Sequence, residues 1–270
     1  MTTQTPSTLS TTQIDEYRRN GCITLRNVLT DEQLAVVQRV AADAKQRGEF
    51  APPTEGTMAY QGSREFTRSI QLMRNLTYAY PDLREVAMSL GPIGRDLIGE
   101  SVRFFSDRIF TKPTAADEGM PTQWHQDFPK IPTDRRGFMT LWIAVEQVTL
   151  EHGPLSFVPG SHRLGPLGGA TPGLRAKSRD EVLRSLMRED DLPFVGDVVQ
   201  TALEPGDATV HDGLMLHSAA QNTASTPRVA WTVSFIPASA LYTGAAQSQT
   251  DDLGLTPWEV FDHELFPVVA

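Results

Sequence analysis

The chain has 270 residues, and its 33 acidic and 24 basic side chains give a net charge of −9 and a pI near 5.2. A chain of this length is at the upper end of what one hydrophobic core supports, so we predict a single domain over residues 1–270. The negative charge disfavours nucleic acid and anionic membranes as partners. Cys22 is the only cysteine, which excludes an intrachain disulfide.

The first residues carry no targeting signal that we recognise. Residues 1–12 lack the basic start and apolar run of a secretory signal, and we expect them to form a flexible tail. No apolar stretch of the sequence approaches the roughly 20 residues that a membrane-spanning helix needs. These features predict a cytoplasmic protein.

Helical signals dominate residues 13–100. Ser10 with Gln13, and Thr30 with Gln33, have the spacing of a capping box, and they predict two helices, the second over about 31–47. Residues 82–99 are typical of a further helical region that breaks near Gly91.

From residue 101 the sequence changes to short runs rich in β-branched and aromatic residues. We predict strands at 102–112, 122–128, 138–148, 154–158, 197–202, 207–211 and 228–236. Because most of these runs have no regular helix between them, an antiparallel sandwich or barrel is favoured over a βαβ fold. A Gly/Pro-rich insertion at 163–197, with a helix capped by Ser178 and Glu181, is typical of a lid. Residues 239–270 form a C-terminal extension.

The stretch "QWHQDFP" at 123–129 offers the first candidate metal ligands. His125 and Asp127 are two positions apart in a strand-like segment, so their side chains should point to the same face. The stretch "EPGDATVHDGLMLHSAAQN" at 204–222 adds His211 and His217. Two histidines and one carboxylate suit non-haem Fe(II). A histidine two residues from an aspartate is, however, more often a hydrogen-bonded structural pair. The residues alone do not decide between His211 and His217 as the third ligand.

The stretch "STPRVAWTVSFIP" at 225–237 strengthens the case for a ligand site. Arg228, Ala230, Thr232 and Ser234 share one face of the predicted strand, while large apolar residues occupy the other. An arginine on a face of small polar residues can hold a carboxylate in the interior of a barrel. The alternative is an arginine at a strand end that reaches into water.

These stretches in order, together with "FSDRIFTKP" and "TLWIAVEQVTLEHGPLSFVPGSH", resemble the phytanoyl-CoA dioxygenase family across about residues 105–235. Members are Fe(II)- and 2-oxoglutarate-dependent oxygenases. The resemblance implies a mainly β fold with flanking helices, built on a double-stranded β-helix (jelly-roll, cupin-like) core at 101–238. It also implies Fe(II), 2-oxoglutarate and O₂ as cofactors and cosubstrates.

The resemblance also assigns site residues. His125, Asp127 and His217 should bind the iron, and Arg228 should bind the distal carboxylate of 2-oxoglutarate. Further contacts to 2-oxoglutarate are implied for three residues, namely Lys112, Thr140 and Trp142.

His211 becomes a lumen or structural residue, and His162 lies in a structural turn. Ala219 departs from relatives that have a serine at this position.

The implied activity is hydroxylation of an unactivated C–H bond in a small molecule, with release of succinate and CO₂. Other oxidative outcomes, such as desaturation or cyclisation, remain open, as does a non-catalytic jelly-roll binding protein. The carboxylate at Asp127 argues against a halogenase, which has a small residue there. A small hydrophobic or amphiphilic substrate is expected, covered by residues 52–75 and 163–197. The chain could also form a homodimer.

Overall fold

The computed structural model of the chain describes residues 9–47, 71–117, 119–167, 195–251 and 253–270. Within them, the helices are α1 Thr11–Asn20, α2 Asp31–Arg47, α3 Leu76–Ala79, α4 Pro81–Ser89 and α5 Gly91–Ile98. The strands are β1 Cys22–Leu25, β2 Gln71–Arg74, β3 Val102–Lys112, β4 Thr122–His125, β5 Met139–Ala144, β6 Leu155–Phe157, β7 Val199–Gln200, β8 Ala208–Asp212, β9 His217–Ala219 and β10 Arg228–Pro237.

The strands form two sheets in which every described pairing is antiparallel. The larger sheet has the order β1-β8-β5-β10-β3-β2, and the smaller sheet has the order β4-β9-β6-β7. This arrangement confirms the antiparallel sandwich that the strand pattern predicted.

Strand β10 lies in the middle of the larger sheet and separates the core from the site. Trp231, Val233 and Phe235 point to one face and join the main hydrophobic cluster. Arg228 and Thr232 alternate with them and line a cavity on the other face. The face division that the sequence predicted for this strand is therefore present.

The N-terminal helices cover the apolar face of the larger sheet. Val37 and Val40 of α2, Leu83 of α4 and Leu97 of α5 are buried in the same cluster as Trp231. Ser10 caps α1 in the predicted capping box with Gln13. With one face of the sheet closed by helices, the cavity opens on the opposite face, toward the smaller sheet.

Several strand predictions were wrong in length or missing. The strand predicted at 122–128 ends at His125, the one predicted at 138–148 covers only Met139–Ala144, and the one at 197–202 shrinks to Val199–Gln200. Short strands β1, β2 and β9 were not predicted, because their pairing with β8, β3 and β4, and not a pattern of their own, makes them strands.

The C-terminal extension packs back on the larger sheet. The backbone N–H of Val102 donates to the carbonyl of Ala270, and that of Val269 donates to Val102. Several predicted features lie wholly or largely outside the described residues: residues 1–8 of the flexible tail predicted at 1–12, most of the proposed cover at 52–75, and the centre of the 163–197 insertion with its helix. The end of the predicted tail was wrong, because Ser10 caps α1 and the helix begins at Thr11. Within the described parts of the chain, no helix is both long enough and apolar enough to cross a membrane.

Candidate metal centre

The smaller sheet places two histidines next to each other. His125 ends β4, His217 begins β9, and the two residues are direct partners in the antiparallel register. Their ring centroids are 4.1 Å apart. Because the pairing fixes both backbones, the two imidazoles are held in position before any metal binds.

Asp127 joins them from a turn, which corrects the expectation of a continuous strand. Its backbone is helical, with φ −80° and ψ −41°, and the next N–H, that of Phe128, donates to the carbonyl of Gly213. Asp127 Oδ1 lies 3.6 Å from His125 Nε2, and Oδ2 lies 3.9 Å from His217 Nε2. One candidate ligand atom from each of the three residues lies within 4.8 Å of the others.

Backbone carbonyls orient both imidazoles. His125 Nδ1 lies 2.7 Å from the carbonyl of Gln123, and His217 Nδ1 lies 2.9 Å from that of Met215. We assign the ring proton to Nδ1 in each case, because a carbonyl can only accept. Each Nε2 then directs its lone pair toward Asp127, as in many metal sites whose histidines are held by a second hydrogen bond.

The charge states also suit a divalent metal. Burial lowers the pKa of His125 to about 4 and lowers the pKa of His217 as well. Burial alone would raise the pKa of Asp127, but the neighbouring His217 and His211 hold it well below its usual value. At neutral pH the site therefore offers two neutral imidazoles and one carboxylate, the donor set that suits Fe(II) and leaves coordination positions open.

His211 comes close to the same carboxylate from the larger sheet. It lies on β8 opposite Thr140, and its Nε2 is 3.4 Å from Asp127 Oδ2. Its Nδ1 has no hydrogen-bond partner among the described residues. The sequence could not separate His211 from His217; in the structure His217 belongs to the three-residue donor group, and His211 contacts the carboxylate of that group.

Two buried cations face each other at one end of the larger sheet. Arg228 of β10 is the register partner of Lys112 of β3, and both side chains are almost fully buried. Lys112 Nζ and Arg228 Nε have no hydrogen-bond partner within the described parts of the chain. The guanidinium Nη1 of Arg228 donates to the carbonyl of Gly153, which fixes its orientation.

Like charges directly opposite each other in a sheet are unfavourable, and burial increases the cost. Burial and the charge of Arg228 lower the pKa of Lys112 to about 7, and burial lowers that of Arg228 to about 10. A carboxylate bound between the two would satisfy both unpartnered atoms and relieve the repulsion. These residues therefore fit a dicarboxylate such as 2-oxoglutarate.

The other two residues implied as contacts, Trp142 and Thr140, also line the cavity. The guanidinium carbon of Arg228 lies 5.0 Å from the centre of the Trp142 ring, a cation–π contact that holds the arginine. Thr140 Oγ1 is 3.1 Å from Ser234 Oγ, and both Thr140 and Trp142 line the cavity. His162 lies elsewhere, with its Nε2 3.2 Å from the carbonyl of Arg18.

Asn222 holds the chain near these cations in place. Its Nδ2 donates to the carbonyls of Thr226 and Lys112, 2.9 Å and 3.3 Å away. The asparagine of "LHSAAQN" thereby fixes the turn before Arg228 and ties it to the end of β3.

The cavity also contains cations that the sequence did not single out. Arg74, Arg108 and Lys130 line it together with the metal ligands. They come from β2, from β3 and from the turn after Asp127, so no local sequence pattern connects them.

Comparison with known proteins identifies the family of the chain. The family profile described as phytanoyl-CoA dioxygenase (PhyH) matches residues 17–230. The chain belongs to the phytanoyl-CoA dioxygenase family. The jelly-roll fold and the family membership expected from the sequence are thus confirmed.

Two curated relatives illustrate the range of the family. A probable alpha-ketoglutarate-dependent hypophosphite dioxygenase of Stutzerimonas stutzeri is 35% identical over 69 residues, which is 26% of this chain and 23% of the relative. The ectoine dioxygenase of Sphingopyxis alaskensis is 23% identical over 237 residues, which is 82% of this chain and 73% of the relative. The first match covers under a quarter of its relative, and the second covers most of it.

Solved structures share the fold. The non-heme alpha ketoglutarate dependent carbocyclase SnoK from nogalamycin biosynthesis has a TM-score of 0.79 at 24% identity, with 100% of both chains covered. The epimerase SnoN, solved with Fe3+, alpha ketoglutarate and nogalamycin RO, has a TM-score of 0.71 at 22% identity, covering 96% of this chain and 98% of SnoN. Iron and 2-oxoglutarate, the cofactors expected here, are thus present in a related structure, and this chain has the donor set for the metal.

Proposed function

We propose that the protein is an Fe(II)- and 2-oxoglutarate-dependent oxygenase that hydroxylates an unactivated C–H bond of a small molecule. The observation that carries this proposal is the combination, in one cavity, of the His125/Asp127/His217 donor set with the buried cation Arg228. A protein that only binds a ligand has no need for both.

Bound iron would activate O₂ at the expense of 2-oxoglutarate, which becomes succinate and CO₂ as one oxygen atom enters succinate and the other enters the substrate. The chain's own residues prepare this chemistry. His125, Asp127 and His217 would hold the metal through two imidazoles and one carboxylate, a donor set that leaves coordination positions free for cosubstrate and O₂. Arg228 and Lys112 would anchor the distal carboxylate of 2-oxoglutarate and so orient the cosubstrate.

The walls around the site are suited to exclude water. Phe110, Phe138, Trp142 and Leu155 line the same cavity as the metal-binding residues and Arg228. An apolar lining protects a reactive oxidant from side reactions with solvent. We propose that residues 52–75 and 163–197 complete this cover.

The reaction outcome separates hydroxylation from its alternatives. The full-length fold similarity to a carbocyclase, with an epimerase also among the related folds, keeps ring closure as the second candidate. A hydroxylated product gains one oxygen atom, whereas ring closure or desaturation removes two hydrogen atoms from the substrate.

A panel of candidate small molecules, incubated with Fe(II), 2-oxoglutarate and O₂, tests the proposal. We expect succinate formation to rise with one class of compound, and mass spectrometry to find a product with one added oxygen. A product that has lost two hydrogen atoms would replace hydroxylation with ring closure or desaturation. Failure of the Fe(II)-loaded protein to form succinate under any condition would refute the oxygenase proposal.

A further inference from the structure

The turn at 149–153 provides the carbonyl group to which Arg228, the proposed anchor of 2-oxoglutarate, donates. That carbonyl belongs to Gly153, and the donor is Nη1 of the guanidinium. Gly153 has a φ of 63°, and a Cβ atom added there would overlap the carbonyl oxygen of Ala220. The backbone of the turn is therefore packed closely against the segment that leads to Arg228.

The side chain of His152 closes this turn. The backbone N–H of Thr149 donates to His152 Nδ1 over 3.1 Å, and Thr149 Oγ1 lies 2.8 Å from the same nitrogen. Because a backbone N–H can only donate, Nδ1 must accept, and we assign the proton of the neutral ring to Nε2. His152 therefore holds the two ends of the turn together as a hydrogen-bond acceptor.

The other ring nitrogen of His152 reaches the chain just before Arg228. Nε2 lies 3.0 Å from Thr226 Oγ1, and with its proton it donates to that hydroxyl. The backbone N–H of Thr223 donates to the carbonyl of Glu151 over 2.8 Å, which joins the same two segments a second time. His152 thus bridges the turn that contacts Arg228 and the segment that leads into it.

The direction of the Arg228 side chain depends on such neighbours. Its guanidinium is directed by the Gly153 carbonyl and by the face of Trp142, 5.0 Å from the guanidinium carbon. A shift of the turn at 149–153 would displace the carbonyl and remove one of these contacts. Paired hydrogen bonds between a guanidinium and a carboxylate need good alignment, so the shift would weaken the binding of an anion.

We infer that His152 is a positioning residue for 2-oxoglutarate: it holds the Gly153 carbonyl in place, and this carbonyl holds Arg228 in the orientation that binds the distal carboxylate. The inference rests on the proposed function, because it takes Arg228 as the anchor of the cosubstrate. His152 is not among the described residues that line the cavity. It therefore acts through the turn and does not touch the cosubstrate itself.

Calorimetry of 2-oxoglutarate binding to the Mn(II)-loaded protein tests the inference without turnover. His152→Leu removes both ring nitrogens and should weaken this binding about three- to tenfold, the loss expected from one or two partly exposed hydrogen bonds. His152→Asn, whose side-chain oxygen can replace Nδ1 as the acceptor, should recover most of the affinity. Mn(II) binding should be unchanged in both variants, because the hydrogen bonds of His152 involve no metal ligand.

Two further variants test the bridge from its other end and control for the loss of a histidine. Thr226→Val removes the hydroxyl that accepts from Nε2 and should also weaken 2-oxoglutarate binding. Combined with His152→Leu, it should weaken binding by less than the product of the two single effects. His263→Leu is the matched control, because His263 is also half-buried and its Nδ1 accepts the backbone N–H of Leu265 over 3.2 Å, outside the described cavity lining. It should bind 2-oxoglutarate as the wild type does.

The inference is wrong if His152→Leu binds 2-oxoglutarate as tightly as the wild type, or if His152→Asn recovers none of the lost affinity. A parallel loss of Mn(II) affinity would also contradict it, because the effect would then not be confined to the anchor. Thermal melts verify folding, and Thr226→Val decides the matter if His152→Leu does not fold. Failure of the proposed function would look different: the Mn(II)-loaded wild type itself would not bind 2-oxoglutarate.

Discussion

Replacing Lys112 with methionine should stabilise the metal-free protein and, at the same time, weaken its binding of 2-oxoglutarate. Lys112 is fully buried opposite Arg228, and its pKa falls from 10.5 to about 7. This drop corresponds to a cost of folding on the order of 4 kcal/mol at pH 7. Methionine has a similar length and no charge. Because even a substitution of similar volume in a packed interior costs up to about 1.5 kcal/mol, we expect about half of that cost to be recovered.

A gain of about 2 kcal/mol raises the melting temperature of a chain of this size by roughly 4–8 °C. The effect depends on pH in a defined direction. Between pH 7 and 10.5 the unfolded chain binds more protons at Lys112 than the folded chain does, so the stability contributed by this group rises with pH. The advantage of the methionine variant should therefore shrink from pH 7 to pH 9.

Urea denaturation of the metal-free protein at both pH values measures the stability, and calorimetry with the Mn(II)-loaded protein measures 2-oxoglutarate binding. Lys45→Met, at an exposed lysine of α2, is the matched control and should change neither quantity. A Lys112→Met variant that is less stable than the wild type at pH 7, or that binds 2-oxoglutarate as tightly, would refute the reasoning.

Three further substitutions address the site. Arg228→Gln should raise the KM for 2-oxoglutarate tens- to thousands-fold and leave the iron content unchanged, because a charge-assisted pair in a shielded site contributes on the order of 2–5 kcal/mol. An unchanged KM would show that Arg228 does not bind the cosubstrate. Asp127→Glu moves the carboxylate by about 1.5 Å, which exceeds the roughly 0.5 Å tolerance of a working site. Metal analysis should therefore find part of the iron still bound, and succinate assays should find little activity. Full activity would contradict the ligand geometry. His211→Ala should keep the iron and measurable activity, because His211 contacts Asp127 and lies outside the donor group. Loss of iron in this variant, measured by metal analysis, would show that His211 is a ligand.

The sequence predicted those parts of the fold that have long, regular patterns. Strand β10 alternates over ten residues, and both its limits and its faces were predicted closely. The three-residue strand β9 was missed because its pairing with β4 and β6, and not its own pattern, makes it a strand. Such short strands depend on tertiary contacts that a local reading does not contain.

The site shows the same division between local and distant information. The proximity of His125 and Asp127 was predicted from a strand pleat, yet a turn at Asp127 produces it. The choice of His217 over His211 came from the family resemblance. Proximity to the carboxylate does not separate the two residues, because both histidines approach Asp127 in space. Arg74, Arg108 and Lys130 come together only in three dimensions, and no sequence signal connected them.

The most direct test of the account is iron-dependent formation of succinate from 2-oxoglutarate. We expect the purified protein, loaded with one Fe(II) per chain, to convert 2-oxoglutarate to succinate and CO₂ in the presence of O₂. His217→Ala should abolish both iron binding and succinate formation, whereas His162→Ala, outside the cavity, should retain both. Absence of succinate from the iron-loaded wild type, or equal succinate formation by His217→Ala, would contradict the central claim that His125, Asp127 and His217 hold a catalytic iron.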